Sequence, residues 1–385
     1  MSFIEKKRCK IKLLSPLHIG AGKTIPYFYL LFLDKRCFVL DEEKFSEQLL
    51  RIGEIALDSF FQFSKKRRGN LKEFLTDLIG EDKLKEFAEK TKAYSLKVKA
   101  YPKRELHTFI RDPFYRPYIP GSSLKGAFRT AFIYLILKKM KPEIREELLI
   151  KHIKDKLGET KSNPKRFQMG FLKNQEKSFF KSVEEDLTRF FRFYKTQKKF
   201  DMHSDILKAI KFSDTKPIST DSSSIEEISV YTKGEETGIR IFVETIPEGT
   251  ELEFEISINK ALLNKVKAYN IRTKQDIEVS EIVELISDPI RTISEWSNDL
   301  LEYEIRAIKD IAGNPLIYMF QEKPNIQLGW GGGLLTKTIC LFVPEKLRAE
   351  ILAVFKSRSY YTPAPSSRRL TKQLRPLGWA RIEEV

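Results

Sequence analysis

The stretch Ile119-Pro120-Gly121-Ser122-Ser123-Leu124-Lys125-Gly126-Ala127-Phe128-Arg129 constrains the fold more than any other in this chain. Pro120-Gly121 predicts a turn, and Ser122 or Ser123 offers an oxygen that can cap a helix start. Leu124, Ala127, Phe128, Ala131, Phe132 and Leu135 recur at helical spacing, which puts them on one buried face. Lys125 and Arg129 fall together one turn apart on another face. Free helix-start amides, a glycine and two cations suit a phosphate, whereas the plainer reading is a capped core helix with solvated charges.

Charge favours the phosphate. The chain carries 69 Lys and Arg against 53 Asp and Glu, a formal net charge of +16. Residues 1–200 hold a net +20, residues 201–355 a net −9 and residues 356–385 a net +5. Such asymmetry predicts a polyanion-facing surface, with nucleic acid the leading partner, and a separate acidic, protein-facing surface. A membrane partner is not expected. The basic stretches do not form one amphipathic helix, and the longest apolar run, Ala131 to Leu137, is too short to span a bilayer. No apolar segment follows the charged start, and Cys9, Cys37 and Cys340 are widely spaced, so reduced thiols in a cytoplasmic protein are expected.

The pattern predicts an α+β chain of two domains, 1–224 and 225–385. A strand from Cys9 should run into a glycine loop at Gly20-Ala21-Gly22, followed by a strand at Arg36–Leu40, a helix at Asp41–Leu50 and helical residues over 54–100. Residues 140–211 read as a helical insertion rich in Lys and Phe, with a loop near Lys161-Ser162-Asn163-Pro164. Gly238–Ile246 and Glu251–Ile258 alternate around Pro247-Glu248-Gly249-Thr250 and predict a hairpin, its second arm burying Leu252, Phe254, Ile256 and Ile258. Residues 278–311 return to helical spacing, and Pro376–Ile382 reads as a last strand.

Several segments bear on chemistry. Gly20-Ala21-Gly22-Lys23-Thr24 ends like an NTPase phosphate loop, but Leu17 stands where that motif needs a glycine. The glycines still suit an anion nest. His18 is the best-placed histidine for metal-independent RNA cleavage, yet no spacing fixes a partner for it, and a loop histidine is the commoner case. No metal-ligand spacing surrounds the histidines. Asp214 and Asp221 flank a polar loop where solvated carboxylates are the ordinary outcome. Gly329-Trp330-Gly331-Gly332-Gly333 costs about 1 kcal/mol of chain entropy per glycine relative to alanine. Either a phosphodiester chain approaches there or a tight connection lies beneath Trp330, and Lys337 tips the reading toward a ligand. The Phe residues within 60–63, 167–171, 179–180 and 190–193 read as core, and Tyr360 and Tyr361 as base-stacking candidates.

These residues together resemble the RAMP superfamily of CRISPR RNA-binding proteins. Within it they are most similar to the members that cap the guide-RNA 3′ end in type III-A (Csm) effector complexes. The matching pieces are Ser15–Gly22, Ile119–Arg129, Phe212–Asp214, Glu244–Thr250, Leu328–Gly333 and Pro376–Trp379. The resemblance implies tandem ferredoxin-like (RRM-like) domains and a non-catalytic subunit that binds single-stranded crRNA without reading its sequence. Guide maturation and antiviral defence follow from it, with other Csm-type backbone subunits as partners and a trimming nuclease left open. RNA contacts are expected at His18, Gly20, Gly22, Lys23, Gly121, Ser122, Ser123, Lys125, Arg129, Gly329, Gly331, Gly332, Gly333 and Lys337. No cofactor or metal is implied. Two alternatives stay open: a metal-independent repeat-RNA endoribonuclease using His18, and a protein-binding scaffold.

Overall fold

The computed structural model describes residues 3–66, 69–162, 175–188, 205–232, 234–268, 279–308, 321–356 and 365–385. In chain order the first strands are β1 (Ile4–Leu13), β2 (Gly20–Pro26), β3 (Leu30–Leu33), β4 (Arg36–Leu40), β5 (Lys92–Val98) and β6 (Glu105–Phe109). They are followed by β7 (Ile210–Phe212), β8 (Ser224–Thr232), β9 (Glu235–Thr245), β10 (Glu251–Asn259), β11 (Ile326–Gln327), β12 (Ser367–Thr371) and β13 (Trp379–Glu384).

Two sheets result. One has the order β11-β13-β1-β10-β7, with all its pairings antiparallel. With the helices Gly121–Lys139 and Pro289–Ala307 it traces β1–helix–β7–β10–helix–β13. That is a βαββαβ ferredoxin-like unit closed by strands from opposite ends of the chain. The other sheet runs β2-β6-β9-β8-β5-β4-β3, with β12 also on β8. The α+β expectation therefore holds. Each sheet takes strands from both sides of position 224, so that position does not separate them.

The expected hairpin does not form. β9 pairs with β8 and β6, whereas β10 pairs with β1 and β7, so Pro247–Thr250 carries the chain from one sheet to the other. Alternation predicted both strands and the buried Leu252, Phe254, Ile256 and Ile258, but alternation does not say which neighbour a strand finds. On the other face of β10, Glu251 and Glu255 pair with Lys10 and Lys6 of the adjacent β1. Lys92–Val98, inside the stretch read as helical, is strand β5, after helices Glu54–Lys65, Leu71–Ile79 and Leu84–Thr91. The expected Asp41 helix runs over Glu42–Ile52, and Asp41 caps it by accepting from the Lys44 amide.

The described part of the insertion is helical over 142–162 and 175–188, so Lys161 and Ser162 end a helix instead of forming a loop. Phe179 and Phe180 are fully buried, as expected. Asn163, Pro164, Phe167, Phe171, Phe190, Phe191, Phe193, Tyr360 and Tyr361 lie outside the described residues. The helix Gly121–Lys139 buries its predicted stripe and, in its second half, Ile133, Tyr134, Ile136 and Leu137 as well. It packs against Pro289–Ala307 and the short helix Gly333–Lys337, which leaves it no wide solvent face. No described helix is long and apolar enough to cross a membrane. The three cysteines are buried and unpaired.

The start of that helix differs from expectation. Neither Ser122 nor Ser123 caps it, and the Gly121 amide donates to Asp214 Oδ1 at 2.7 Å. A Cβ on Gly121 would lie 2.2 Å from the Phe212 carbonyl oxygen, so glycine is needed for protein packing at this point. The anion at the helix start is thus the chain's own carboxylate. Asp214→Ala is expected to cost about 1 kcal/mol, as the loss of a helix cap does, read as a lower urea midpoint with unchanged slope. An unmoved midpoint would show that the bond is idle.

Candidate nucleic-acid interface

Two of the three glycine segments meet at His18. Leaving β1, the chain pairs Leu17 with Ile246 and delivers His18 beneath β9, where its Nδ1 lies 2.7 Å from the Glu244 carbonyl oxygen. That carbonyl can only accept, so Nδ1 carries the proton and Nε2 is the bare nitrogen. His18 is 3 % exposed, and burial is the main cause that lowers its pKa to about 4. The imidazole is therefore neutral and sealed in. His18 neither faces solvent for an RNA contact nor offers a base poised near neutrality for cleavage. Its expected site role is corrected to a structural one.

The Glu244 side chain is the node beneath it. Fully buried, it accepts from Tyr94 Oη at 2.6 Å, the Phe109 amide at 3.0 Å and the Arg111 guanidinium at 3.2 Å. Burial pushes its carboxyl pKa up, and Arg111, Tyr94 and Phe109 oppose that shift. Arg111 also lies 3.7 Å above the Tyr94 ring centroid. The sequence did carry a signal for this node: a carboxylate between Val243 and Ile246, in a strand turning into the core, must find donors.

The second glycine segment folds onto His18 from the other side. The Trp330 amide donates to the His18 carbonyl at 2.8 Å, and a Cβ on Gly329 would fall 2.2 Å from that oxygen. Gly329 has φ +73°, which itself favours glycine. Gly331 and Gly332 pack on Leu377 and Thr336, and Gly333 opens the helix to Lys337. Close approach of the protein to itself accounts for Gly329, Gly331 and Gly332, so the glycine run alone does not point to a phosphodiester.

Gly20-Ala21-Gly22 is no loop. It opens β2, the exposed edge strand of the eight-stranded sheet, with a register irregularity between Gly20 and Thr24. Gly20, Gly22 and Lys23 are all exposed there. The Gly121 segment joins the others through packing of its helix on Gly333–Lys337. Its cations are engaged within the chain: Lys125 Nζ donates to the Ile210 carbonyl at 2.9 Å, and Arg129 pairs with Asp205 at 3.0 Å. They pin the end of the helical insertion to the helix, which corrects the picture of two cations left open for phosphate. Asp214 and Asp221 are likewise engaged, Asp221 accepting from Ser95 Oγ.

The accessible basic ground lies beside Trp330. The half-buried ring has His107 nearly parallel at 6.4 Å between centroids and the Arg369 guanidinium 4.3 Å from its centroid. Arg369 Nε is buried without a hydrogen-bond partner. Lys337 is exposed at the end of the helix that follows the Trp330 turn. His107 and Arg369 carry no motif of their own, since strand pairing alone brings them to Trp330.

This fold and this site define a class. A family model described as the RAMP superfamily matches residues 10–336, and the chain belongs to that superfamily, whose fold resembles tandem ferredoxin-like domains. The chain is 26 % identical over 262 residues to the CRISPR system Cms protein Csm5 of Streptococcus thermophilus, covering 63 % of this chain and 61 % of that protein. It spans, then, about three fifths of that relative's length. It is 24 % identical over 356 residues to the Methanocaldococcus jannaschii protein of the same name, covering 86 % of this chain and 72 % of that one.

Two solved structures share the fold. The crystal structure of T. onnurineus Csm5 has a TM-score of 0.66 at 24 % identity, covering 97 % of this chain and 99 % of that one. A chain of the cryo-EM Csm-crRNA-target RNA ternary complex of a type III-A CRISPR-Cas system has a TM-score of 0.65 at 23 % identity, covering 98 % and 100 %.

Proposed function

We propose that this chain is a non-catalytic subunit of a type III-A (Csm) CRISPR complex that binds the 3′ part of the crRNA and caps the backbone subunits. Its similarity to Csm5 proteins supports the complex. The observation that carries RNA binding is the Arg369 guanidinium over the Trp330 ring, with exposed Lys337 at the end of the helix that follows that turn, adjoining an exposed glycine edge strand. Cations at such a surface suit a phosphate backbone, which they bind without reading bases. The sealed His18 supports the non-catalytic reading over cleavage. Contacts through Gly20, Gly22 and Lys23 belong to the same proposal, as do a place in the cytoplasm, backbone-subunit partners and recruitment of a trimming nuclease.

Titration of fluorescent single-stranded RNA at several salt concentrations tests it. Each lost phosphate contact flattens the log–log salt slope of single-strand binding by about 0.7. Lys337→Ala with Arg369→Ala should therefore weaken binding about tenfold or more and lower the slope by about 1.4, equally for different sequences. A double variant with the wild-type slope would sink the proposed site.

A further inference from the structure

A second site lies at the far end of β2. Past Pro26 the surface opens into a cleft of about 750 Å³ lined by Tyr27, Tyr29, Ser64, Lys65, Arg104 and Glu105. Its walls are tied together, since the Tyr27 amide donates to the Arg104 carbonyl at 2.7 Å. The aromatic wall is braced: Phe28 packs on Tyr29 at 4.7 Å between centroids, and Tyr29 on Phe60 at 5.9 Å. Tyr29, Lys65 and Arg104 are exposed, and among the described residues neither cation has an ion-pair partner.

This mixture fits one ligand class. Two phenol rings suit a planar base, two cations suit a phosphate, and Glu105 accepts a hydrogen bond from an exocyclic amine. A bare anion would be repelled by Glu105. The cleft is also connected to the basic cluster. Glu105 and His107 stand on one face of β6, about 7 Å apart at strand spacing, with 3.9 Å between the Glu105 carboxylate and His107 Nε2. His107 in turn stacks on Trp330, which carries Arg369. Pairwise contacts thus link the cleft through Glu105 and His107 to Trp330 and Arg369, beside an edge strand whose glycines present no side chains.

We infer that this cleft holds one nucleotide of the same single-stranded RNA, its base against Tyr27 and Tyr29 and its phosphate on Lys65 and Arg104. The inference rests on the RNA-binding reading above and extends the contact along β6. Photo-crosslinking of the full chain to single-stranded RNA carrying 5-iodouridine, with adducts mapped by mass spectrometry, should label Tyr27 or Tyr29. In titrations, Tyr27→Ala with Tyr29→Ala should weaken binding about tenfold and leave the salt slope unchanged, as lost stacking does. Lys65→Ala with Arg104→Ala should lower the slope by about 1.4. No adduct at either tyrosine, together with wild-type behaviour of both cleft variants, overturns the cleft; the RNA-binding reading stands if the Lys337 and Arg369 variant still loses slope. Wild-type protein without salt-dependent RNA binding overturns both.

Discussion

Glu244→Ala is expected to destabilise the fold by about 3–5 kcal/mol, the range for breaking a buried ion pair by removing one partner. The carboxylate has no exposed surface, and alanine would strand the Arg111 guanidinium, the Tyr94 hydroxyl and the Phe109 amide without their acceptor. The loss comes from desolvated donors left unpaired, not from the intrinsic worth of the pair. A double variant, Glu244→Gln with Arg111→Met, should therefore recover part of the stability, because both charges leave together. Urea unfolding of the three proteins decides it. A single-variant loss below about 1 kcal/mol would mean that water reaches the site and that the node is weak. RNA affinity should fall as well, since Glu244 supports His18 and His18 holds the Trp330 turn.

Acid should weaken the protein through His18. Its folded pKa of about 4 lies below the ordinary 6.5, so between those values the unfolded chain binds the extra proton. Stability rises with pH wherever the unfolded state binds more protons, so the His18 contribution is intact above about pH 6.5 and erodes toward pH 4. The full loss is about 3 kcal/mol at 1.36 kcal/mol per pKa unit. Glu244 has the opposite sign, because its raised pKa favours the protonated folded form as pH falls. The two are separated by subtracting the stability curve of a His18→Asn variant, which keeps a donor for the Glu244 carbonyl. Parallel curves for the two proteins from pH 6.5 to 4 would show that His18 is not held neutral.

Much of the architecture was legible in single residues. Alternation placed β10 and its buried Leu252–Ile258 face, Asp41 marked a helix start, and Leu124 to Leu135 gave the buried stripe of the helix Gly121–Lys139. The superfamily was legible too, through six short motifs spread from Ser15 to Trp379. Strand partners were not. The β9–β10 turn looks like a hairpin locally and is a crossover because β9 pairs with β8 and β6 while β10 pairs with β1 and β7. The candidate site divided in the same way. The glycine segments at 20–22 and 329–333 were visible, but their apparent demand for a ligand was met largely by His18 and Leu377. Lys125 and Arg129 were found and then proved to be engaged, since spacing along a helix says nothing of a carbonyl or carboxylate arriving from residues 205–210.

Local patterning along the chain settled the α+β class, several of the helices and strands, their apolar faces and the strongly basic half, because those depend on composition and on residues within a few positions of each other. Only the tertiary structure decided which basic groups remain accessible, that Arg369 and His107 join Trp330, and that Tyr27 and Arg104 frame a cleft. Such groupings depend on pairings between residues tens to hundreds of positions apart, and each is selected by the total burial and hydrogen bonding of two sheets, which no short window contains.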